Sequence, residues 1–164
     1  AGPSELLVVA DESADPAVVA ADLIAQAEHD PCAVPILISL SAELVDRVDA
    51  QLRAQLRVLP TADTARLALA NNSAAVVVST IRDAADLADL YAPEHLEVQT
   101  RDAHEDAKLF QHFGALFIGA GAAEVFGDYG AGPNHTLPTG GTARSTGGLS
   151  VLTFLRVRTF IEIE

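Results

Sequence analysis

Two side chains able to bind a metal ion lie three residues apart in the run Gln26-Ala27-Glu28-His29. At the pitch of an α-helix, residues three apart project to the same side, so the amide oxygen of Gln26 and an imidazole nitrogen of His29 could bind one ion. A histidine beside acids at a helix end is also typical of a solvated residue favoured by the helix dipole. The spacing alone leaves both interpretations open.

Glu94 and His95 place two proton-transfer groups side by side, directly after Pro93. Proline disfavours the helical conformation in the residue before it, so a helix ending near Tyr91 should give way to a loop that presents both groups. A carboxylate beside an imidazole suits general acid and base catalysis. The alternative is a loop with two polar residues and no chemical role.

A third set of candidates lies in residues 127–148, which are rich in Gly, Pro, Thr and Asn. Loops of about twenty residues without secondary structure are uncommon in compact domains and are usually functional. Asp128 and His135 lie in this loop, where glycines permit close backbone approach to a ligand and Pro133 stiffens the path. If the fold brings the loop to Gln26 and His29, most of a metal shell would be complete.

The elements that must position these residues follow from hydrophobic periodicity. Short β-branched runs at 6–10, 36–40, 75–79, 96–99 and 115–118 alternate with stretches of helical period. This alternation is typical of βα units, so we predict a Rossmann-like αβα sandwich with a mostly parallel sheet of about five strands and a long Gly-rich loop. Residues 149–158 are predicted to form a closing helix. The predicted helix caps are Asp15, with Pro16 after it, Ser41, Asp83 and Asp102.

Composition narrows the classes of partner. The 23 acidic and 10 basic residues give a formal charge of -13, which would repel a phosphate backbone and argues against nucleic acid. The longest apolar runs are far shorter than the roughly 20 residues that span a bilayer, so no membrane segment is expected. Cys32 is the single cysteine, and nothing resembles a signal peptide. These features predict a cytoplasmic protein.

The domain organisation follows from length and from the residue types at the start. A chain of 164 residues with 49% hydrophobic content can bury the core of one compact domain. It contains no methionine, and Ala1-Gly2-Pro3-Ser4 leads directly into an apolar run. We therefore predict a single α/β domain over 1–164 that is a fragment of a longer protein or a processed product.

Six motifs, in order along essentially the whole chain, resemble histidinol dehydrogenase. They are Ala1-Gly2-Pro3-Ser4-Glu5, Gln26-Ala27-Glu28-His29, Ala92-Pro93-Glu94-His95-Leu96, Gly127-Asp128-Tyr129, Gly132-Pro133-Asn134-His135-Thr136-Leu137-Pro138-Thr139 and Gly148-Leu149-Ser150. The resemblance implies an enzyme that oxidises L-histidinol to L-histidine, in histidine biosynthesis, in two NAD-dependent steps. A zinc ion holds the substrate in that family and keeps its oxidation state.

The same resemblance implies roles for individual residues, carried across motif by motif. Three positions match zinc ligands, two match the acid–base pair, and two match positions that contact the substrate. The zinc-ligand positions are Gln26, His29 and Asp128. The acid–base positions are Glu94 and His95, and the substrate-contact positions are Ser4 and His135. The position of an NAD contact within this chain stays unknown.

Two parts of the family pattern are missing from these residues: the preceding domain, which supplies most NAD contacts, and the tail whose histidine completes the zinc site of the neighbouring subunit. We therefore expect the substrate- and metal-binding part of a two-domain homodimeric enzyme, inactive by itself. Two alternatives remain, a paralogue that oxidises another small alcohol such as sulfopropanediol, and a non-catalytic α/β module that binds a metal or a partner. A hydrolase built on Ser4 or Ser145 is disfavoured, because no nucleophile elbow is present.

Overall fold

The computed structural model describes residues 4–123 and 134–164. Within these ranges five strands form one parallel sheet in the order β3-β2-β1-β4-β5. The strands are β1 (Glu5–Ala10), β2 (Val34–Ser39), β3 (Ala74–Val77), β4 (His95–Gln99) and β5 (Ala115–Ile118). The predicted fold class is confirmed, and each predicted strand is present.

The helices of the described ranges are α1 (Pro16–Ala27), α2 (Ala42–Gln55), α3 (Ala62–Asn72), α4 (Ile81–Tyr91) and α5 (Ala103–Asp106). Further 3-10 turns cover Ala107–Leu109, Thr142–Arg144 and Val151–Phe154. None of the helices in these ranges is long and apolar enough to cross a bilayer.

Two of the predicted helix caps are confirmed. The Asp15 carboxylate accepts a hydrogen bond from the N–H of Ala17 at 2.8 Å, with Pro16 at the first helical position. The Ser41 hydroxyl accepts one from the N–H of Leu44 at 3.2 Å. Each cap satisfies an N–H that has no partner within its own helix.

Of the other two predicted caps, Asp83 is wrong, and Asp102 occupies the predicted position without a side-chain hydrogen bond. The N-cap of α4 is Thr80, whereas Asp83 is the third helical residue and bonds back to the Thr80 N–H at 3.0 Å in a capping box. The error arose because either residue type can cap a helix. Asp102 does precede α5, but its side chain makes no cap hydrogen bond.

Two helix assignments in the sequence analysis were wrong. The closing helix over 149–158 is only the turn Val151–Phe154, and the residues after it have no regular structure. Their side chains are exposed, to 96% at Val157, so no described surface buries the apolar stripe that would stabilise a helix. The helix α3 was not predicted, because its buried face consists of small alanines rather than large apolar residues.

Helices cover both faces of the sheet, which makes the αβα sandwich. On one face, Leu6 and Val8 of β1 pack with Val19 of α1 and Leu44 of α2. On the other, the core contains the alternate β1 residues Leu7 and Val9, the β4 residues Leu96 and Val98, and the alanines Ala84, Ala85 and Ala88 of α4. Because side chains alternate along a strand, His95, Glu97 and Gln99 of β4 lie on the face that carries α1.

Candidate active site

Two buried glutamates tie together the amino-terminal ends of β1 and β4. The N–H of Glu5 donates to Glu94 Oε2 at 2.9 Å, and the N–H of Glu94 donates to Glu5 Oε2 at 3.3 Å. The parallel ladder between the two strands begins one residue later, where Leu6 lies opposite His95. Carboxylates therefore satisfy the backbone donors just outside the ladder, and they hold Glu94 against β1.

His95 is the first residue of β4 and is buried, with 7% of its surface exposed. Its Nδ1 lies 3.1 Å from the backbone carbonyl oxygen of Glu5 and 3.6 Å from Glu94 Oε2. A carbonyl oxygen can only accept, so the hydrogen bond requires a proton on Nδ1. In the neutral ring Nε2 is then the basic nitrogen, which is the form a general base needs.

The predicted loop placement of His95 is therefore corrected to a strand. The helix α4 ends as predicted at Tyr91, and Ala92 takes a left-handed conformation, with φ of 56° and ψ of 66°. This turn and Pro93 redirect the chain into the sheet within two residues. Glu94 and His95 are thus held by strand pairing and burial, which orients them more strictly than a loop would.

A polar cluster lies between α1 and β4, on the face of the sheet that His95 shares. The side-chain amide of Gln99 donates to Asp22 Oδ2 at 2.7 Å and to Glu97 Oε2 at 3.0 Å. Burial raises the pKa of Asp22, while hydrogen bonds from Gln99 and with Glu97 act in the opposite direction. Two carboxyl groups and an amide thus pack together beneath α1, where Glu97 is only 1% exposed.

Gln26 lies on α1 one turn beyond Asp22, toward the amino-terminal edge of the sheet. Its side chain is completely buried, and within the described residues neither its Oε1 nor its Nε2 has a hydrogen-bond partner. Leaving a buried polar group without a partner costs about 1–3 kcal/mol. A buried amide oxygen of this kind has the donor chemistry of a metal ligand.

His29 lies just past the end of α1, where its N–H donates to the Gln26 carbonyl oxygen at 3.4 Å. The residue is exposed, unlike Gln26. Asp128 lies outside the described residues, so the structure does not test whether the three predicted ligands meet. Among residues 4–123 and 134–164, no three His, Cys, Asp or Glu side chains lie close enough to hold a metal ion.

Ser4 is half-buried at the same edge, and its carbonyl oxygen accepts the N–H of Val34 at 3.0 Å. His135 is exposed, near the start of the second described range. The loop that carries it returns to the site, because the N–H of Gly140 donates to Glu5 Oε1 at 2.9 Å. The structure thus gathers Ser4, Glu94, His95 and this loop at one edge, while it places no ligand-like contact on the His135 ring.

Four polar residues of this region were not singled out from the sequence: Glu5, Asp22, Glu97 and Gln99. The signal for Glu97 and Gln99 was weak, because polar residues that alternate with apolar ones along a strand usually lie on its solvent-facing side. For Glu5, the signal was a carboxylate at the start of a strand that is buried throughout.

These features define a class: an αβα domain with a buried Glu–His pair at the amino-terminal end of β4, held against β1 and beside a buried polar cluster. The sequence profile of histidinol dehydrogenase matches residues 1–164. The chain belongs to the histidinol dehydrogenase family.

Individual relatives agree with this assignment. The chain is 48% identical over 164 residues to the histidinol dehydrogenase of Prochlorococcus marinus (strain MIT 9313), which covers 100% of this chain and 37% of that protein. It is 51% identical over 157 residues to the histidinol dehydrogenase of Nocardia farcinica (strain IFM 10152), and this match covers 95% of this chain and 35% of that protein. This chain therefore spans little more than a third of the length of these relatives.

Solved structures place the fold in the same family. The histidinol dehydrogenase from Elizabethkingia anophelis matches with a TM-score of 0.88 and 39% identity, covering 92% of this chain and 34% of that chain. An acetylating aldehyde dehydrogenase from Geobacillus thermoglucosidasius matches with a TM-score of 0.59 and 16% identity, covering 99% of this chain and 52% of that chain. This match shows a shared fold alone.

Proposed function

We propose that this chain is the substrate- and metal-binding part of an enzyme that oxidises L-histidinol to L-histidine with NAD. The observation that carries the proposal is the buried pair Glu94 and His95 at the ends of β1 and β4. The hydrogen bond from His95 Nδ1 to the Glu5 carbonyl oxygen supports Nε2 as the base.

In the alcohol step, His95 Nε2 accepts the hydroxyl proton of the substrate as the carbon–hydrogen bond is broken. The Glu94 carboxylate, 3.6 Å from Nδ1, stabilises the imidazolium that results. Ser4 and His135 are the proposed contacts to the substrate. Burial of the pair lowers the local dielectric constant, which strengthens these electrostatic interactions.

In the aldehyde step, Glu94 is the proposed base that takes a proton from a water molecule as the water adds to the carbonyl carbon. A carboxylate is suited to this role because its N–H partner from Glu5 occupies one of several lone pairs, and it can accept further hydrogen bonds. NAD, when bound, would accept the hydride released in each step. The NAD contacts are proposed to come mostly from outside this chain.

The proposed zinc ligands are Gln26, His29 and Asp128. The orphaned amide of Gln26 supports the first of them, since a bound cation would satisfy its buried Oε1. When bound, zinc would hold nitrogen atoms of the substrate, because it accepts nitrogen ligands readily. Three protein ligands leave the coordination incomplete, so we propose weak binding by this chain alone and a fourth ligand from a partner subunit in a homodimer.

We propose further that the complete enzyme has a second domain against which this one packs. Apolar side chains after the turn Val151–Phe154 are exposed, including Val157, Phe160, Ile161 and Ile163. An apolar groove of about 300 Å³ is also open between β2, β3 and α4. Exposed apolar surface of this kind usually marks an interface.

The proposal is tested by measuring both half-reactions in the full-length enzyme. His95→Ala and Glu94→Ala should each lower turnover by about 10²–10⁴-fold, the usual contribution of an acid–base group. His95→Ala should lower the rate of alcohol oxidation more, and Glu94→Ala should lower the rate of aldehyde oxidation more. His104→Ala, a change at an exposed histidine on α5, is the matched control. Near wild-type rates for His95→Ala in both half-reactions would remove it from the mechanism.

A calorimetric titration of this chain with zinc tests the ligand set separately. Weak binding that is lost in His29→Ala and in Gln26→Leu, but kept in His104→Ala, is expected. Tight stoichiometric binding that His29→Ala leaves unchanged would refute the assignment. The chain alone should show no NAD-dependent oxidation of histidinol, because positioning of the two reactants contributes roughly 7–11 kcal/mol to lowering such a barrier.

A further inference from the structure

We propose that Glu5 is a positioning residue that couples Glu94 and His95 to the loop after Asn134, which carries His135. Its carboxylate bridges two segments that lie far apart in the sequence. Oε2 accepts the N–H of Glu94 at 3.3 Å, and Oε1 accepts the N–H of Gly140 at 2.9 Å. The side chain is buried, with 5% of the residue exposed.

Only a carboxylate at this position can satisfy both donors. Each of its oxygens accepts from a different backbone N–H, whereas a glutamine offers one oxygen and would turn its amide hydrogens toward the other donor. Charged acceptors also form hydrogen bonds about twice as strong as neutral ones. The bridge therefore depends on the charge of Glu5 as well as on its length.

A second observation places the Glu5 carboxylate near Tyr91. Burial raises the pKa of Tyr91 to about 12, and the negative charge of Glu5 adds to that increase. Tyr91 is the last residue of α4, directly before the turn that leads to Glu94 and His95. Glu5 thus lies at the junction of β1, the α4–β4 connection and the loop after Asn134.

The functional consequence rests on the proposed function. The backbone of Glu5 holds the Glu94 carboxylate and His95 Nδ1, and its side chain holds the Glu94 backbone. The Gly140 contact ties in the loop that contains His135. Loss of the carboxylate should move the catalytic pair relative to the loop, without removing any group that touches the substrate.

The first test compares Glu5→Ala and Glu5→Gln in the full-length enzyme. Glu12→Ala is the matched control, since Glu12 follows the opposite end of β1 and is exposed. We expect kcat/KM for histidinol to fall about 10²-fold in Glu5→Ala, because a displacement of about 1 Å at a reaction centre has that effect. The loss should include both a lower kcat and a higher KM, and Glu5→Gln should recover part of it.

The outcomes separate this inference from a purely structural role. A lower melting temperature with unchanged kcat and KM in the folded enzyme would overturn it. So would equal loss in Glu5→Gln and Glu5→Ala, since the glutamine oxygen preserves one acceptor. If wild-type enzyme fails to oxidise histidinol, or His95→Ala retains activity, the proposed function fails instead.

A second test uses this chain and needs no activity. Amide hydrogen exchange, followed by NMR, should speed up at Gly140 and at Glu94 in both Glu5 variants, more in Glu5→Ala. Exchange at Val8, in the middle of β1, should change less and serves as the internal reference. Unchanged exchange at Gly140 would show that the bridge is absent and would overturn the inference.

Discussion

Gly114 lies where β5 enters the sheet, and it leaves no room for a side chain. A Cβ added there would lie 2.5 Å from the carbonyl oxygen of Glu94 and 3.1 Å from Cδ of Pro138, and real Cβ atoms essentially never come within 3.0 Å of a neighbour. The same carbonyl accepts the N–H of Ala115 at 2.8 Å, the hydrogen bond that starts the β4–β5 pairing. Gly114→Ala must therefore move the backbone at Glu94, next to the proposed catalytic base His95.

The size of the effect follows from these distances. Relief of the closest contact requires a shift of at least about 0.5 Å, and overpacking of this kind costs about 1–3 kcal/mol. For a domain of this size that corresponds to a fall in melting temperature of roughly 2–12 °C. Because a displacement of 1 Å costs about 10² in rate, half of it should lower kcat by roughly tenfold.

The matched control is Gly121→Ala. No described residue lies within 4 Å of a Cβ at Gly121, and its φ lies outside the left-handed range. Alanine there should be neutral or stabilise by about 0.4–1 kcal/mol, since it restricts the unfolded chain. The assays are thermal unfolding of this chain and histidinol turnover in the full-length enzyme. Equal melting temperatures in the two variants would refute the steric argument, and a lower melting temperature with unchanged kcat would refute its link to catalysis.

Three further predictions concern the polar cluster around Asp22, the helix caps and the proposed metal ligand Gln26. Burial raises the pKa of Asp22 above its usual value of 3.8, so the folded state binds the Asp22 proton more tightly than the unfolded state does. The free energy of unfolding therefore falls as the pH rises from 3.8 through the pKa of the folded state. Asp22→Asn should remove this loss, and denaturant titrations of both proteins between pH 3 and 7 that give parallel stability curves would contradict it. Thr80→Ala should destabilise by about 1 kcal/mol through loss of the α4 cap, whereas Asp102→Ala, without a cap hydrogen bond to lose, should stay within about 0.5 kcal/mol. Gln26→Leu should stabilise the zinc-free chain, because it removes a buried amide that has no hydrogen-bond partner among the described residues. A lower melting temperature of this variant in the presence of a chelator would count against that reasoning.

Local patterns in the sequence determined the elements and their class. Runs such as 6–10 and 115–118 are apolar and β-branched or bulky, and they are separated by capped helical stretches, so a parallel αβα sheet follows without knowledge of contacts. Asp15 and Ser41 could be identified as caps because a cap bonds to N–H groups two or three residues away. The motifs around His29 and Glu94 likewise indicated the family, which the comparisons confirmed.

Local patterns failed where stability comes from packing. The buried face of α3 consists of alanines that fit against Ala27 and Ala33, and small residues carry little periodic signal. The apolar residues after the turn Val151–Phe154 looked helical, but a short amphipathic helix needs a surface to cover its stripe.

The candidate site itself was decided by tertiary structure. Glu5 and Glu94 are separated by 89 positions, and their reciprocal hydrogen bonds exist only because β4 pairs with β1. Alternation along β4 correctly puts Glu97 and Gln99 on one side of the strand, but it cannot say whether water or another polar side chain lies there. Asp22 of α1 fills that place, since helix packing over the sheet brings its carboxylate within 2.7 Å of the Gln99 amide. The sequence carries the types of these groups, and long-range strand order and helix packing decide which of them meet.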